Sequence, residues 1–524
     1  MLRSLRHLLA LIRIGFTLAR ADVLQPLVMV PVLLTVFRLS RIIIPPAKEV
    51  RGLRPGQRLA WALQRLGPSF IKLGQALSTR SDLLGEQGAA DLSMLQDRLP
   101  PFPFAQARAA IEADLGRPLS ELFTEFNTES VAAASVAQVH FAVTTDGRQV
   151  AVKVLRPGVA AAFARDLDLL MWLAELMEAR IPGSRRLRPV DVVKQFEQSV
   201  AFEMDLRFEA AAAAEMAENF AGDPDFRIPP VDWERTAGRV LTTERVIGTP
   251  IGDRDALIAA GHDLREIVGK AARAFFAQIF RDGFFHADLH PGNLFVDAHG
   301  TIVAIDFGIT GRLERRHRNY LADMLLGFLS GDFRRVAEVH FDAGLVPRSE
   351  SVALFTQACR SIGEPLLGKP LEQISVAKLL SQLFQITRQF KMETQPELLM
   401  LQKTMVLAEG LGRSLDPTVN MWQLAQPLIE EWMAVYRSPV ARVGDTVSDF
   451  ITELEHLPKV LHNLKTVLSD LAHDGLNLHS ETVEALGEGD RWIRRLAWPL
   501  WVFALALAGM AAAQWFTILS KWPL

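Results

Sequence analysis

The sequence predicts an α+β fold: a small lobe containing strands, a larger helical lobe, added helices on either side, and an apolar helix near the C-terminal end. Three observations lead there. Ala137 to Val143 alternates in polarity, Asp146-Gly147 makes a turn, and Gln149 to Leu155 is β-rich, so this stretch reads as a hairpin. Helical spacing dominates most of the rest. Three short strings then follow in order: Val150-Ala151-Val152-Lys153-Val154, His286-Ala287-Asp288-Leu289-His290-Pro291-Gly292-Asn293, and Asp306-Phe307-Gly308.

Residues 1–55 are expected to lie at a membrane surface. Arg3, Arg6, Arg13 and Arg20 sit among Leu and Ile, as in a basic amphipathic helix, and Arg13 breaks the apolar stretch that a cleaved signal needs. Residues 26–46 are apolar but hold Arg38, Arg41 and four prolines, which favours an interfacial or packed segment over a span. Residues 56–128 form a helical extension. Gly67-Pro68 interrupts it before Ser69 to Leu77, the prolines at 100, 101 and 103 stop it, and 104–115 resumes it.

Residues 129–250 form the strand-containing lobe, with helices inserted over 160–220 and a strand from Val240 to Val246. Residues 251–475 form the helical lobe. In it Leu294-Phe295-Val296 and Ile302 to Ile305 flank the turn Asp297-Ala298-His299-Gly300 and deliver Asp306. A polar linker over 476–495 precedes an apolar run over 496–519, long enough as a helix to cross a hydrocarbon core of about 30 Å. Trp498, Trp501, Trp515 and Trp522 lie towards its ends. Arg491, Arg494 and Arg495 precede it and only Lys521 follows, which would leave the preceding domain in the cytoplasm.

Composition narrows the chemistry. A net charge of −3 over 524 residues offers no basic excess for nucleic acid. The single cysteine, Cys359, excludes an internal disulfide and any Cys-based zinc site, and reads as a buried, inert thiol.

The three strings together point to phosphoryl transfer. A lysine on a strand, Lys153, can hold nucleotide phosphates. Asp288 on a loop can orient a nucleophile. Asn293, five residues on, and Asp306 offer oxygen donors suited to Mg2+ beside ATP. A second reading, His286, Asp288 and His290 as metal ligands, lacks a further ligand cluster. Ala132-Ala133-Ala134-Ser135-Val136-Ala137-Gln138 precedes the lysine strand. Small residues there would let backbone N–H groups approach phosphate, with a stiffer backbone than glycine gives. Glu203, Asp205 and Glu209 are carboxylates available to orient a lysine, although an acidic helix face in water is the commoner role.

These residues resemble the UbiB family of atypical kinases, bacterial relatives of the mitochondrial coenzyme Q kinases, over about residues 55–345. Lys72-Leu73-Gly74-Gln75 looks like the family's KxGQ signature, and the 132–138 loop like its alanine-rich replacement for a glycine-rich loop. Glu203-x-Asp205 looks like its ExD motif, and Glu209 like the glutamate that pairs with the strand lysine. The resemblance implies a protein-kinase-like bilobal fold with ATPase activity, required for ubiquinone biosynthesis at the inner membrane. The implied partners are anionic lipid and other proteins or lipid precursors of that pathway. It also implies that the KxGQ helices cover the cleft, with Lys72 meeting Glu203 and Asp205 and with Gln75 beside it. Small-molecule kinases of the aminoglycoside and choline type share strings like His286 to Asn293 but lack the KxGQ extension. A nucleotide-sensing scaffold without turnover would keep the same ATP-binding residues.

Overall fold

Lys153 occupies a central strand of an antiparallel sheet, and the rest of the fold is arranged around that placement. The first four strands are β1 (Phe123–Phe126), β2 (Ala132–Ala133), β3 (Ala137–Thr144) and β4 (Gln149–Leu155). After the inserted helices come β5 (Phe226–Arg227), β6 (Val240–Glu244) and β7 (Thr249–Pro250), then β8 (Phe284–His286), β9 (Leu294–Val296), β10 (Ile302–Ala304) and β11 (Thr310–Arg312). The computed structural model describes residues 2–23, 45–78, 100–180, 189–364 and 396–418, with a few single positions between, all within the unit 1–435. The expected linker at 476–495 and membrane helix at 496–519 lie outside the described residues, as do nearly all of 26–46 and of 419–475. Among the described residues no helix is long and apolar enough to cross a membrane.

The first sheet runs β1-β3-β4-β6, with β2 folded onto β3. The expected hairpin is β3 and β4, and Lys153 lies opposite Val139 on one side and Leu241 on the other. The period of two sends Val150, Val152 and Val154 into a core with Ala107, Ala110 and Ile111 of the helix Phe104–Leu115. That leaves Lys153 on the opposite face. There the helices Val159–Arg180, Pro189–Glu203 and Leu206–Asn219 fill the predicted inserted region, joined to the sheet through Val136, Leu155, Phe163, Phe196, Leu206 and Ala210.

A second sheet, β5-β10-β9-β7, contains the predicted hairpin, with Ile302 opposite Val296 and Ala304 opposite Leu294. The short pair β8 and β11, which alternation alone does not reveal, sets His286 opposite Thr310 and so ties the second string to the segment after the third. The helices Arg315–Ser330, Phe333–Asp342 and Val352–Gly363 build the helical lobe. Cys359 is buried there with Phe333, Val336 and Phe355, and burial pushes its thiol up to about 12, so it is inert at physiological pH.

The extension divides as expected, into Pro55–Leu66 and Pro68–Ser78. Gly74 faces Leu63 and Leu95 so closely that a Cβ would lie 2.7 and 2.5 Å from their methyl carbons, which explains a glycine inside this helix. The N-terminal helix Leu2–Ala21 exists, but much of its surface is used inside the molecule. Ala19 and Ala21 are buried, it packs on Pro55–Leu66, Arg13 donates to the Leu66 carbonyl at 3.1 Å, and His7 meets Asp168 at 3.0 Å. This helix is docked on protein along one side, with Ile12 and Phe16 left exposed on the other.

Candidate active site

The site forms where β4, the helix Leu206–Asn219 and the end of the β9–β10 hairpin converge. The Lys153 Nζ donates to Glu209 Oε1 at 2.7 Å and Oε2 at 2.9 Å, and to Asp306 Oδ1 at 3.2 Å. Glu209 lies in the first turn of its helix, where the backbone N–H groups and helix dipole favour a negative charge. Asp205 caps that helix by accepting from the Arg207 N–H at 3.1 Å.

Charge balance at this triad is uneven. Burial pulls the Lys153 ammonium down, but Asp306 and Glu209 outweigh it and hold its pKa above the ordinary value. Burial raises the Glu209 carboxyl, and the neighbouring Lys153 only partly offsets this. Lys153 draws the Asp306 carboxyl down to about 2 against the opposing effect of burial. Asp306 therefore stays ionised. Its φ of 62° places it in the left-handed region that non-glycine residues seldom adopt. Gly308 makes room for it, since a Cβ there would lie 3.3 Å from Asp306 Oδ1.

The loop carrying Asp288 is braced from several directions. His286 is fully buried; its Nδ1 accepts from the Asp288 N–H at 3.1 Å, which leaves Nε2–H to donate to the Ile305 carbonyl at 3.2 Å. Burial keeps His286 below the usual histidine range, hence neutral. The Asn293 amide donates to the Asp288 carbonyl at 3.1 Å, and the Asn293 carbonyl accepts from Ile305 N–H at 2.9 Å. Asp288 and Asp306 are thus positioned by one hydrogen-bonded unit. His290 Nδ1 accepts from Gly292 N–H, so the His286, Asp288 and His290 ligand reading is not met. Among the described residues no three His, Cys, Asp or Glu side chains gather to hold a metal.

Asn293 and Asp306 still suit a hard cation. Both offer oxygen, and Asp306 Oδ2 accepts no hydrogen bond among the described residues. Held by these two side chains, Mg2+ would keep its remaining positions for phosphate and water.

The alanine loop is a tight turn. Ala132 and Ala133 pair with Val139 and Gln138, and Ala134 N–H closes onto the Ala137 carbonyl at 2.8 Å. Val136 and Ala137 are buried in the core. Gln138, expected beside the nucleotide as part of this loop, has its side chain turned inward. Strand alternation turns it to the buried face, where its amide accepts from Phe102 N–H at 2.9 Å and donates to the Phe102 carbonyl at 3.3 Å. Arg156, which sequence gave no reason to single out, donates to the carbonyls of Ala134, Ser135 and Pro100 and staples the turn.

The Lys72 contact is specific. Lys72 lies 3.0 Å from Glu203, both largely buried, linking the helix Pro68–Ser78 to the end of Pro189–Glu203. Asp205 was expected to share this role. Its carboxylate instead pairs with Arg207 at 2.6 Å while capping the following helix. Gln75 is half-buried one turn from Lys72, and its carbonyl accepts from the Ser78 hydroxyl. A further residue enters that no motif announced: Lys403, from the helix Pro396–Leu415, places Nζ 2.9 Å from Asp288 Oδ1.

Comparison with known proteins agrees with this geometry. The ABC1 atypical kinase-like domain matches residues 94–340, and the UbiB helical domain matches 359–420. A Marinobacter nauticus protein named "Probable protein kinase UbiB" is 41% identical over 96% of this chain and 94% of its own length. The chain belongs to the UbiB family. A Pseudomonas putida UbiB protein of the same name is 42% identical, covering 90% of this chain and 87% of that one. A solved Mycobacterium tuberculosis protein, Rv3197 in complex with erythromycin, is 26% identical over 68% of this chain and 90% of that one, with a TM-score of 0.47. The UbiB assignment carries a kinase-like α+β fold for this chain.

Proposed function

We propose that this UbiB-family chain is an ATP-dependent atypical kinase or ATPase of ubiquinone biosynthesis, working at the inner membrane with its catalytic domain facing the cytoplasm. The observation that carries the reading is the convergence of Lys153, Glu209 and Asp306 within hydrogen-bonding distance, beside the loop that fixes Asp288 and Asn293. Lys153 would hold the phosphates of ATP, and Asn293 and Asp306 would hold Mg2+. Bound there, the metal would neutralise phosphate charge. Asp288 would orient an acceptor hydroxyl or water. Its oxygen attacks the γ-phosphorus, the bond to the β-phosphate oxygen breaks, ADP leaves, and the acceptor proton passes to the Asp288 carboxylate. The apolar run at 496–519 would anchor the chain, and anionic lipid and other proteins or lipid precursors of the pathway would be its neighbours. Support for the pathway comes from the relatives' shared family.

Binding is tested by calorimetry. Asp306→Asn is expected to weaken Mg-ATP about tenfold to a hundredfold, through loss of a charged ligand. Unchanged affinity would remove Asp306 from the metal site.

The Lys72–Glu203 pair supports a cover over the cleft. Removing Lys72 would leave Glu203 largely buried without its ammonium partner. Lys72→Ala is expected to alter the preference between ATP and ADP and to expose phosphate transfer to the protein itself, followed by mass spectrometry. Wild-type behaviour in both assays would deny the cover a regulatory role and favour a small-molecule kinase.

A further inference from the structure

The segment from Asp288 to Asn293 reads Asp-Leu-His-Pro-Gly-Asn and contains no lysine or arginine. Yet the Asp288 carboxylate is not alone: among the described residues its partner is Lys403, at 2.9 Å. Lys403 lies more than a hundred residues downstream, on the helix Pro396–Leu415. That helix is well seated. Leu401, Thr404, Leu411 and Leu415 are buried, it packs on the helix Leu264–Phe276 and on β11, and Arg254 donates to the Leu415 carbonyl at 3.3 Å. The stretch of helix that carries Lys403 is therefore held in place by packing within the fold.

Stability does not account for the pair. Each side chain is 33% exposed, and an ion pair that open to water is screened and adds little. Its partner is also the one carboxylate that the phosphoryl-transfer reading asks to be held in a single orientation. Backbone bonds hold the Asp288 main chain through His286 and Asn293, but they leave the carboxylate free to turn about its own bonds.

We infer that Lys403 is a positioning residue for the reaction: the helical element reaches back to the catalytic loop and fixes the Asp288 carboxylate towards the acceptor. This rests on the phosphoryl-transfer reading above. It also makes residues 396–415 a working part of the active site rather than an accessory to it.

The test is steady-state ATP hydrolysis by the full-length protein in anionic-lipid vesicles, for wild type, Lys403→Met and Lys403→Arg. Active concentration is set by ATP-binding stoichiometry. Lys403→Met is expected to lower kcat about tenfold, with KM for ATP and melting temperature nearly unchanged, because orientation rather than binding is lost. Lys403→Arg, which keeps a cation at that reach, should recover most of kcat. Two results would overturn the inference: a kcat for Lys403→Met within about twofold of wild type, or Met and Arg variants equally impaired. A wild type that binds Mg-ATP but shows no turnover sinks the phosphoryl-transfer reading, and the role of Lys403 with it. Normal wild-type turnover alongside an unaffected Met variant removes Lys403 alone.

Discussion

Lys153→Met is expected to lower the free energy of unfolding by about 3–5 kcal/mol near neutral pH, the usual effect of removing one partner of a buried ion pair. The physical reason is Glu209. Its side chain is only 9% exposed, and burial raises its pKa against the opposing pull of Lys153. Without the ammonium, Glu209 would favour its neutral form still more. The sign follows from linkage. A carboxyl whose folded pKa lies above the unfolded value of about 4.3 stabilises the fold below that value and loses this contribution as pH rises through the folded pKa. The deficit in Lys153→Met should therefore be small near pH 4 and grow towards pH 8. Asp306 contributes less to it, because its side chain is 48% exposed and can be hydrated. The double variant Lys153→Met/Glu209→Met should regain most of the lost stability while failing to bind Mg-ATP. Denaturant unfolding across that pH range checks both statements. A deficit independent of pH, or one that the second substitution deepens, would show that Glu209 is not the group left uncompensated.

Asp288→Asn is expected to reduce phosphate release from Mg-ATP by about two to four orders of magnitude, the range that positioned general acid–base groups supply. Mg-ATP affinity should change little, since Asp288 is not among the proposed metal ligands. Asparagine retains the shape of the side chain and so keeps the backbone bonds to His286 and Asn293. Phosphate release should be measured with and without anionic lipid, which also asks whether a membrane surface changes the rate. Release by Asp288→Asn at the wild-type rate in both conditions would exclude Asp288 as the nucleophile-orienting group.

What could be read from the sequence depended on how local the cause was. The β3–β4 hairpin was legible because alternation and the Asp146-Gly147 turn are confined to neighbouring residues. So was the β9–β10 hairpin that delivers Asp306. The strands β8 and β11 were not, because each has three residues and is defined only by its distant partner. The resemblance pointed to Lys72 and Glu203, which the fold brings together. It could not show that Asp205, two positions on, would serve as a helix cap for Arg207, because that choice depends on where one helix ends and the next begins. That the Gln138 side chain turns inward follows from the strand beginning at Ala137, which the loop's composition does not reveal. Lys403 had no local signal at all. It is one lysine in a helical run, and only the return of that helix to the catalytic loop gives it significance.

Glu203 and Glu209 hold opposite ends of one short tether. Glu203, paired with Lys72, closes one helix. Asp205 starts the next, and Glu209 grips the strand lysine a turn later. The intervening hinge is only Met204 and Asp205, and the Leu206 N–H is pinned at 2.8 Å to the carbonyl of Gly238, just ahead of β6. Little slack exists along it, because a peptide chain extends by at most about 3.6 Å per residue. A cover that swings away while Lys72 keeps its grip would drag Glu209 off Lys153. A cover that swings freely must first let go of Glu203. Any displacement of the Lys72–Glu203 contact would thus be passed through two residues of chain to the Lys153–Glu209 pair.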